Sequence, residues 1–194
     1  KRQDASKLEG KPLVATIGFF DGVHIGHRFL IQEMNRIARE KGLSSAVITF
    51  PEHPRAVLRA DYQPQLLNSF EEKIVRLATT EVDYCVVMDF NKRLSQLSAE
   101  TFIKQILAAQ LHVEMLLIGY DHRFGHDRIG SDAIAGLGLR VVRVDECEVG
   151  GEHVSSTVIR RLIAEGRIAE AERLLGHPVS ESVRRSCTPE KHVR

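Results

Sequence analysis

The sequence has almost no net charge: 27 Lys and Arg stand against 26 Asp and Glu, leaving +1 over 194 residues. No global field therefore recruits nucleic acid or an anionic membrane, and an anion must be gripped by a local arrangement. Long hydrophobic runs are missing too. Stretches such as Met115–Ile118 are far too short to span a bilayer, and the polar segment Lys1–Lys11 has no apolar signal core. Cysteine is sparse. Cys85, Cys147 and Cys187 lack CxxC spacing, which argues against a disulfide framework or a zinc site. Internal repeats and low-complexity tracts are absent. Together these absences predict a cytoplasmic protein with reduced thiols that handles small molecules, not nucleic acid or membranes.

Common catalytic signatures are also missing. There is no dinucleotide-type GxGxxG, no P-loop, no GxSxG nucleophile turn, no HExxH zinc motif and no Cys–His pairing. Metal ligands from the protein are not expected.

What is present is the balance of a soluble globular protein, with 43% apolar and 27% charged residues. Short β-branched runs alternate with helical spacing. Strands are predicted at Leu13–Gly18, Ser45–Phe50, Tyr84–Met88, Met115–Gly119 and Leu139–Val144. A helix from about Gly26 to Lys41 carries Leu30, Ile31, Met34 and Ile37 on one stripe, and Gly42 supplies its stop. Further helices are capped by Ser69, by Ser98 (running to Gln110) and by Ser155 or Ser156 (running to Ala164), and another covers Ile168–Leu175. Pro51 and Pro54 close the second strand. Strands joined by helical crossovers imply an α/β fold: a Rossmann-like parallel sheet with helices on both faces. Residues 1–178 read as one domain, and 179–194 as a basic, unpatterned linker.

Ligands of such sheets bind beyond the carboxyl ends of the strands. Four unusual segments fall just there. His24-Ile25-Gly26-His27 follows the first strand at a strand-to-helix turn. Two imidazoles, a glycine that lets an anion approach, and the free N–H groups of a helix start suit a triphosphate. Gly18, Phe19, Phe20 and Asp21 lead into it. Val154-Ser155-Ser156-Thr157-Val158-Ile159-Arg160 follows the fifth strand, with hydroxyls and N–H groups for phosphate and an arginine one turn inside the helix. Gly119-Tyr120-Asp121-His122-Arg123-Phe124-Gly125 follows the fourth and suits a planar ligand with polar edges. Thr49-Phe50-Pro51-Glu52-His53-Pro54 follows the second and presents Phe50 and His53. No catalytic base is needed for nucleotidyl transfer to a phosphate, whose second pKa lies near about 6; positioning and electrostatics carry the reaction.

His24-x-Gly-His27 with Ser155-Ser156-Thr157-x-x-Arg160 resembles the paired signature of the HxGH nucleotidyltransferase superfamily. Within it, the Gly18–His27, Thr49–Pro54 and Gly119–Gly125 segments resemble the adenylyltransferase module of the bacterial bifunctional riboflavin kinase/FAD synthetase family. The resemblance runs from Leu13 to Pro178 and implies the reaction ATP + FMN → FAD + pyrophosphate, with Mg²⁺ held mainly by substrate phosphates. It implies that His24, His27 and Arg160 are catalytic. Gly18, Phe19, Phe20, Asp21, Gly26, Ser155, Ser156 and Thr157 would bind ATP, and Phe50, His53, Asp121, Arg123 and Phe124 would bind FMN. It implies, too, a native fusion to a riboflavin kinase domain, whose Pro-Thr-Ala-Asn segment this sequence lacks. Relatives often read Thr-Phe-x-Pro-His-Pro where this chain has Thr-Phe-Pro-Glu-His-Pro. Two alternatives remain: another HxGH adenylyl- or cytidylyltransferase, of pantetheine-phosphate or nicotinamide-mononucleotide type, and a nucleotide-binding regulatory module without turnover.

Overall fold

The computed structural model describes residues 10–59, 61, 65–119, 134, 136–145 and 147–187. Five strands form one parallel sheet: β1 (Leu13–Ile17), β2 (Ser44–Thr49), β3 (Tyr84–Val87), β4 (Val113–Gly119) and β5 (Arg140–Val144). Their spatial order is β3-β2-β1-β4-β5. The order reverses between β1 and β4, and a crevice opens at the carboxyl ends of strands at such a switch point. The predicted strands all form, with ends moved by one or two residues.

Alternation along β1 explains why the sheet is covered on both faces. Leu13, Ala15 and Ile17 enter one apolar cluster, with Ile103, Leu107 and Leu116. Val14 enters the other, with Ile31, Met34 and Leu117. All five β1 residues are buried, as expected of a central parallel strand.

Helix α1 (Ile25–Lys41) lies on the second face and buries Ile31, Met34 and Ala38; Leu30 and Ile37 pack at the margin. Gly42 ends it at φ 65°, bonding back to Ala38 and Arg39. A short helix α2 (Pro54–Leu58) begins where the sequence suggests only a stiff loop, because Pro54 takes the first helical position and His53 caps it. Ser69 and Glu72 form a capping box on α3 (Phe70–Ala78), worth about 1 kcal/mol. After α4 (Lys92–Ser95), Ser98 caps α5 (Ala99–Thr101), which continues as a π-helix, Phe102–Gln110, where α-helix was expected. Its wider turn keeps Ile103 and Leu107 buried together with Leu111 against the first cluster.

After β5, a small antiparallel hairpin, β6 (Glu148–Val149) with β7 (Glu152–His153), leads to α6 (Ser156–Ala164) and α7 (Ile168–Leu175). The stretch after Pro178 differs from expectation. It forms α8 (Glu181–Cys187), and Val179 and Val183 are buried with Ile159, Leu162 and Leu174 in a third cluster. Two apolar residues four apart are enough to dock a short helix, although the segment shows no longer periodicity. Glu172 of α7 secures it by accepting from the Val179 N–H and from Arg184.

Candidate active site

The chain between β1 and α1 makes one turn of 3-10 helix, Asp21–Val23, under unusual backbone constraint. Phe20 (φ 55°), Gly22 (φ 80°) and Val23 (φ 43°) all occupy the left-handed region. Strain of this sort, at a β-branched valine above all, persists only where surroundings over-determine it, and here they do. The Gly22 N–H bonds to Asn68 Oδ1, its carbonyl accepts from His177 Nε2 at 2.7 Å, and the Asp21 carbonyl accepts from Ser156 Oγ at 3.0 Å. The Asp21 carboxylate receives the Leu67 N–H at 2.8 Å and Arg160 Nη1 at 2.6 Å. The turn is thus locked by groups from α6, from the segment after α7, and from the run before α3.

This lock aims the histidines. His24 caps α1, and its Nδ1 accepts the His27 N–H at 3.3 Å, so the neutral ring carries its proton on Nε2. The two rings stack with centroids 3.6 Å apart and planes 16° from parallel. Phe20 meets His27 edge-on at 5.0 Å. Gly26 makes room for the stack: a Cβ there would sit 3.3 Å from the His24 ring. Burial, helped by the charges of His153 and His177, pushes the His24 pKa down to about 3. Burial also holds His27 well below its usual value, with His24 adding to the effect. Both imidazoles are therefore neutral at neutral pH. His27 Nδ1 is buried without a hydrogen-bond partner.

His24, Gly26 and His27 line one wall of a cleft of about 340 Å³. Ser155, Ser156 and Thr157 line the opposite wall, with Gly119 at the end of β4 and Val144 and Asp145 at the end of β5. Phe29, Leu30, Cys147 and Val154 supply apolar surface. Ser155 caps α6 through the Val158 N–H. Two helix N-termini, two imidazoles and a row of hydroxyls thus meet at the β1/β4 switch point, a donor-rich setting for phosphate oxygens.

Several expected ligand contacts are placed otherwise. Phe20 is 3% exposed in the second cluster, because its left-handed backbone turns the ring inward. Phe50 is 7% exposed in the first cluster, edge-on to Phe90, so its ring is core and not ligand surface. The Asp21 carboxylate points inward to Leu67 and Arg160, which makes it a holder of the turn. Gly18 sits under the Phe20 ring. Phe19 packs against His53, with ring centroids 4.8 Å apart. Burial first, then the charge of Arg55, lowers the His53 pKa. Asp121, Arg123 and Phe124 lie outside the described residues. Cys85 is partly buried against the second cluster.

A family model described as FAD synthetase matches residues 6–158. The chain belongs to the FAD synthetase family. It is 38% identical over 172 residues to the bifunctional riboflavin kinase/FMN adenylyltransferase of Listeria monocytogenes, covering 85% of this chain and 54% of that one. The Escherichia coli K12 protein of the same name is 38% identical over 176 residues, covering 88% and 56%. The chain spans about half the length of the curated relatives it matches. A solved structure described as a macrolide-efflux protein from Streptococcus pneumoniae superposes with a TM-score of 0.79 at 29% identity, over 87% of this chain and 57% of the other. No helix among the described residues is long and apolar enough to cross a membrane.

Leu67, Asn68, Lys73 and His177 of this FAD synthetase-family chain also build the site, and no sequence motif singles them out. Leu67 and Asn68 act through an N–H and an amide, for which no spacing gives a signal. Lys73 had one: it falls on the apolar stripe of α3, three residues after Phe70 and four before Leu77.

The buried imidazoles have a measurable consequence. In the unfolded chain His24 takes its proton near pH 6.5, whereas in the folded protein it resists until about 3. Between those values the unfolded state binds more protons, so stability is present above pH 6.5 and is lost as pH falls. The slope approaches about 1.4 kcal/mol per pH unit for one such group. His24→Asn keeps an N-capping side chain and does not titrate, so denaturant melts of this variant should show a flatter decline between about pH 6 and 4. Equal slopes in variant and wild type would contradict the buried neutral state.

Proposed function

We propose that this chain transfers AMP from ATP to FMN, giving FAD and pyrophosphate. One observation carries the reading: the stacked His24–His27 pair at the start of α1 shares a cleft with Ser155–Thr157 at the start of α6. Family membership supports FMN as the acceptor over other phosphorylated acceptors.

An FMN phosphate oxygen attacks the α-phosphorus of ATP. A bond to the α-phosphorus forms, the bond to the oxygen bridging to the β-phosphate breaks, and pyrophosphate leaves with the electron pair. The FMN phosphate is mostly dianionic at neutral pH and gives up no proton to a base. The protein's task is to hold two polyanions together and to stabilise the charge that develops. His24 and His27, neutral in the free site, donate N–H groups to phosphate oxygens. The N-termini of α1 and α6 add backbone donors, and Thr157 an exposed hydroxyl. The bond to Asp21 engages Arg160 Nη1, and a guanidinium offers five N–H donors in all, so Arg160 can bind phosphate without leaving Asp21.

Among the described residues no group of three His, Cys, Asp or Glu side chains could hold a metal. The cleft's donors fit phosphate oxygens, and Mg²⁺ entering with ATP would be held by phosphates and water, supplying charge neutralisation. The relatives' names pair this activity with riboflavin kinase, and we extend that fusion, and a cytoplasmic setting, to the native protein as a proposal.

Incubation with ATP, Mg²⁺ and FMN should yield FAD and pyrophosphate, followed by chromatography of the flavins and a phosphate assay. FMN should be preferred over pantetheine phosphate and nicotinamide mononucleotide. Adenylylation of another acceptor with FMN inert would overturn the flavin assignment, and no turnover with any acceptor would favour the regulatory-module reading.

A further inference from the structure

Lys73 is 1% exposed, the one buried lysine among the described residues, and the transfer reaction as derived above does not use it. Its Nζ lies between the exits of β1 and β2 and donates to the Phe19 carbonyl at 2.9 Å and the Phe50 carbonyl at 2.7 Å. Thr49 Oγ1 donates to the same Phe19 carbonyl at 3.2 Å. The ammonium also stands 3.8 Å above the centroid of the Phe19 ring, and the other partner of that ring is the His53 imidazole at 4.8 Å. The same ammonium lies 5.6 Å from the centroid of the Phe70 ring, so one cation ties two loop carbonyls and two aromatic faces, with Phe19 the nearer. A buried ammonium is costly unless its donors are satisfied, and a core that needed only bulk would carry methionine or leucine here. The arrangement instead fixes the Phe19 ring, half-buried at the sheet edge, against His53.

We propose that Lys73 is a positioning residue that holds the Phe19 and His53 rings as a platform for the planar ring system of the acceptor. The inference rests on the FMN reading above. It moves Phe19 from the nucleotide side of the site, where the sequence puts it, to the acceptor side. Its physical basis is that an aromatic platform binds a planar ligand only if its tilt is fixed beforehand. Hydrogen bonds from a charged donor and a desolvated cation–π contact are each strong enough to fix it. In the function proposed above, ATP is held at the His24–His27 and Ser155–Thr157 segments, so loss of the clamp should fall unequally on the two substrates.

Lys73 also has a pH signature. Burial lowers its pKa to about 8, opposed by Asp21 of the 3-10 turn and Cys85 of β3. His27 and His53 also feel its charge, and both are depressed and stay neutral in this range. Burial raises the Cys85 thiol. Above about pH 8 the ammonium loses its charge, and with it the cation–π contact.

The test is steady-state kinetics in both substrates for wild type, Lys73→Met, Lys73→Arg and Phe19→Leu, with a thermal melt of each. In Lys73→Met, KM for FMN should rise about tenfold or more, the size expected for losing one or two charge-assisted bonds, while KM for ATP changes by less than about threefold. Phe19→Leu leaves the lysine in place and should reproduce the FMN effect, so it carries the test if Lys73→Met does not fold. Wild-type KM for FMN should climb above about pH 8, whereas Lys73→Arg should stay flat. Equal changes in both KM values, or an unchanged KM for FMN with a lowered melting temperature, would reduce Lys73 to a structural role and overturn the inference alone. A wild-type protein that makes no FAD overturns the FMN reading before any variant is compared, and the platform with it.

Discussion

Replacing His27 with asparagine should lower turnover by on the order of 100-fold or more while the protein stays folded. His27 sits at the meeting point of the stack, the α1 terminus and the cleft. Its depressed pKa makes it a neutral donor, so its contribution does not depend on capturing a proton first. In the proposed transfer, charge develops on the α-phosphate and on departing pyrophosphate beside imidazoles that are themselves buried. A donor fixed there acts at a low local dielectric and costs no reorganisation. Because the interaction strengthens in the transition state, kcat should fall more than KM for ATP rises. Asparagine retains an N–H donor but is too short to stack on His24, so it tests position as well as chemistry. A melting temperature close to wild type would exclude unfolding as the cause. Turnover within a factor of about two of wild type, in a folded variant, would remove His27 from the mechanism.

Replacing Arg160 with alanine should damage both catalysis and stability, and pH separates the two effects. The Asp21 side chain is 6% exposed and Arg160 26%, so the carboxylate is the buried partner. Removing the guanidinium leaves that carboxylate with the Leu67 N–H as its hydrogen-bond donor and only the charge of Lys73 to offset its burial. Losing one partner of a buried pair costs about 3 kcal/mol or more, and the partial exposure of Arg160 argues for the low end. Burial already raises the Asp21 pKa, with Leu67 and then Arg160 pulling the other way. Without Arg160 it must rise further. A carboxyl whose folded pKa exceeds its unfolded one destabilises as pH climbs through the folded pKa, because the native state then holds an unpaired buried charge. The stability deficit of Arg160→Ala should therefore shrink as pH is lowered from neutrality into the acid range. Asp21→Asn on top of Arg160→Ala should recover much of the stability, since the amide oxygen can still accept from Leu67. Turnover should stay low in both variants, since the phosphate contact proposed for Arg160 would be lost in each. A pH-independent deficit, or strictly additive losses in the double variant, would argue against the pair as the lock on the turn.

The strained turn explains why these two predictions belong together. Phe20, Gly22 and Val23 adopt left-handed backbone, and the groups that hold them there come from α6, the His177 segment and the Leu67–Asn68 run. A Cβ at Gly22 would meet Leu67 and Leu175 at 3.0 Å, so the turn is also hemmed in by side chains from those same segments. The same contacts that keep the backbone strained keep His24 and His27 stacked.

Much of this was legible in the sequence, and for local reasons. Strand and helix periodicity depends on neighbours along the chain, so the alternation, the α1 stripe, the Gly42 stop and the Ser69, Ser98 and Ser155 caps could all be read directly. Motifs after strands could be assigned to one sheet edge, because a parallel sheet puts every carboxyl end on the same side. His24, Gly26, His27 and Ser155–Thr157 were found that way, and they share the cleft. What spacing cannot carry is the direction in which a side chain points once the backbone leaves regular structure. Phe20 and Phe50 read as ligand surface but are core, since a left-handed turn and a strand end send their rings inward. Asp21 reads as a nucleotide contact, yet it holds Arg160 across 139 positions of sequence. Lys73 falls on the apolar stripe of α3, but only the approach of the β1 and β2 exits supplies the two carbonyls that make its burial tolerable. The sequence alone determined the chemistry, phosphate handling at helix starts, because residue type and local spacing specify it. The tertiary structure alone decided which of these side chains face the cleft and which hold the others in place, because that depends on contacts between segments far apart in the chain.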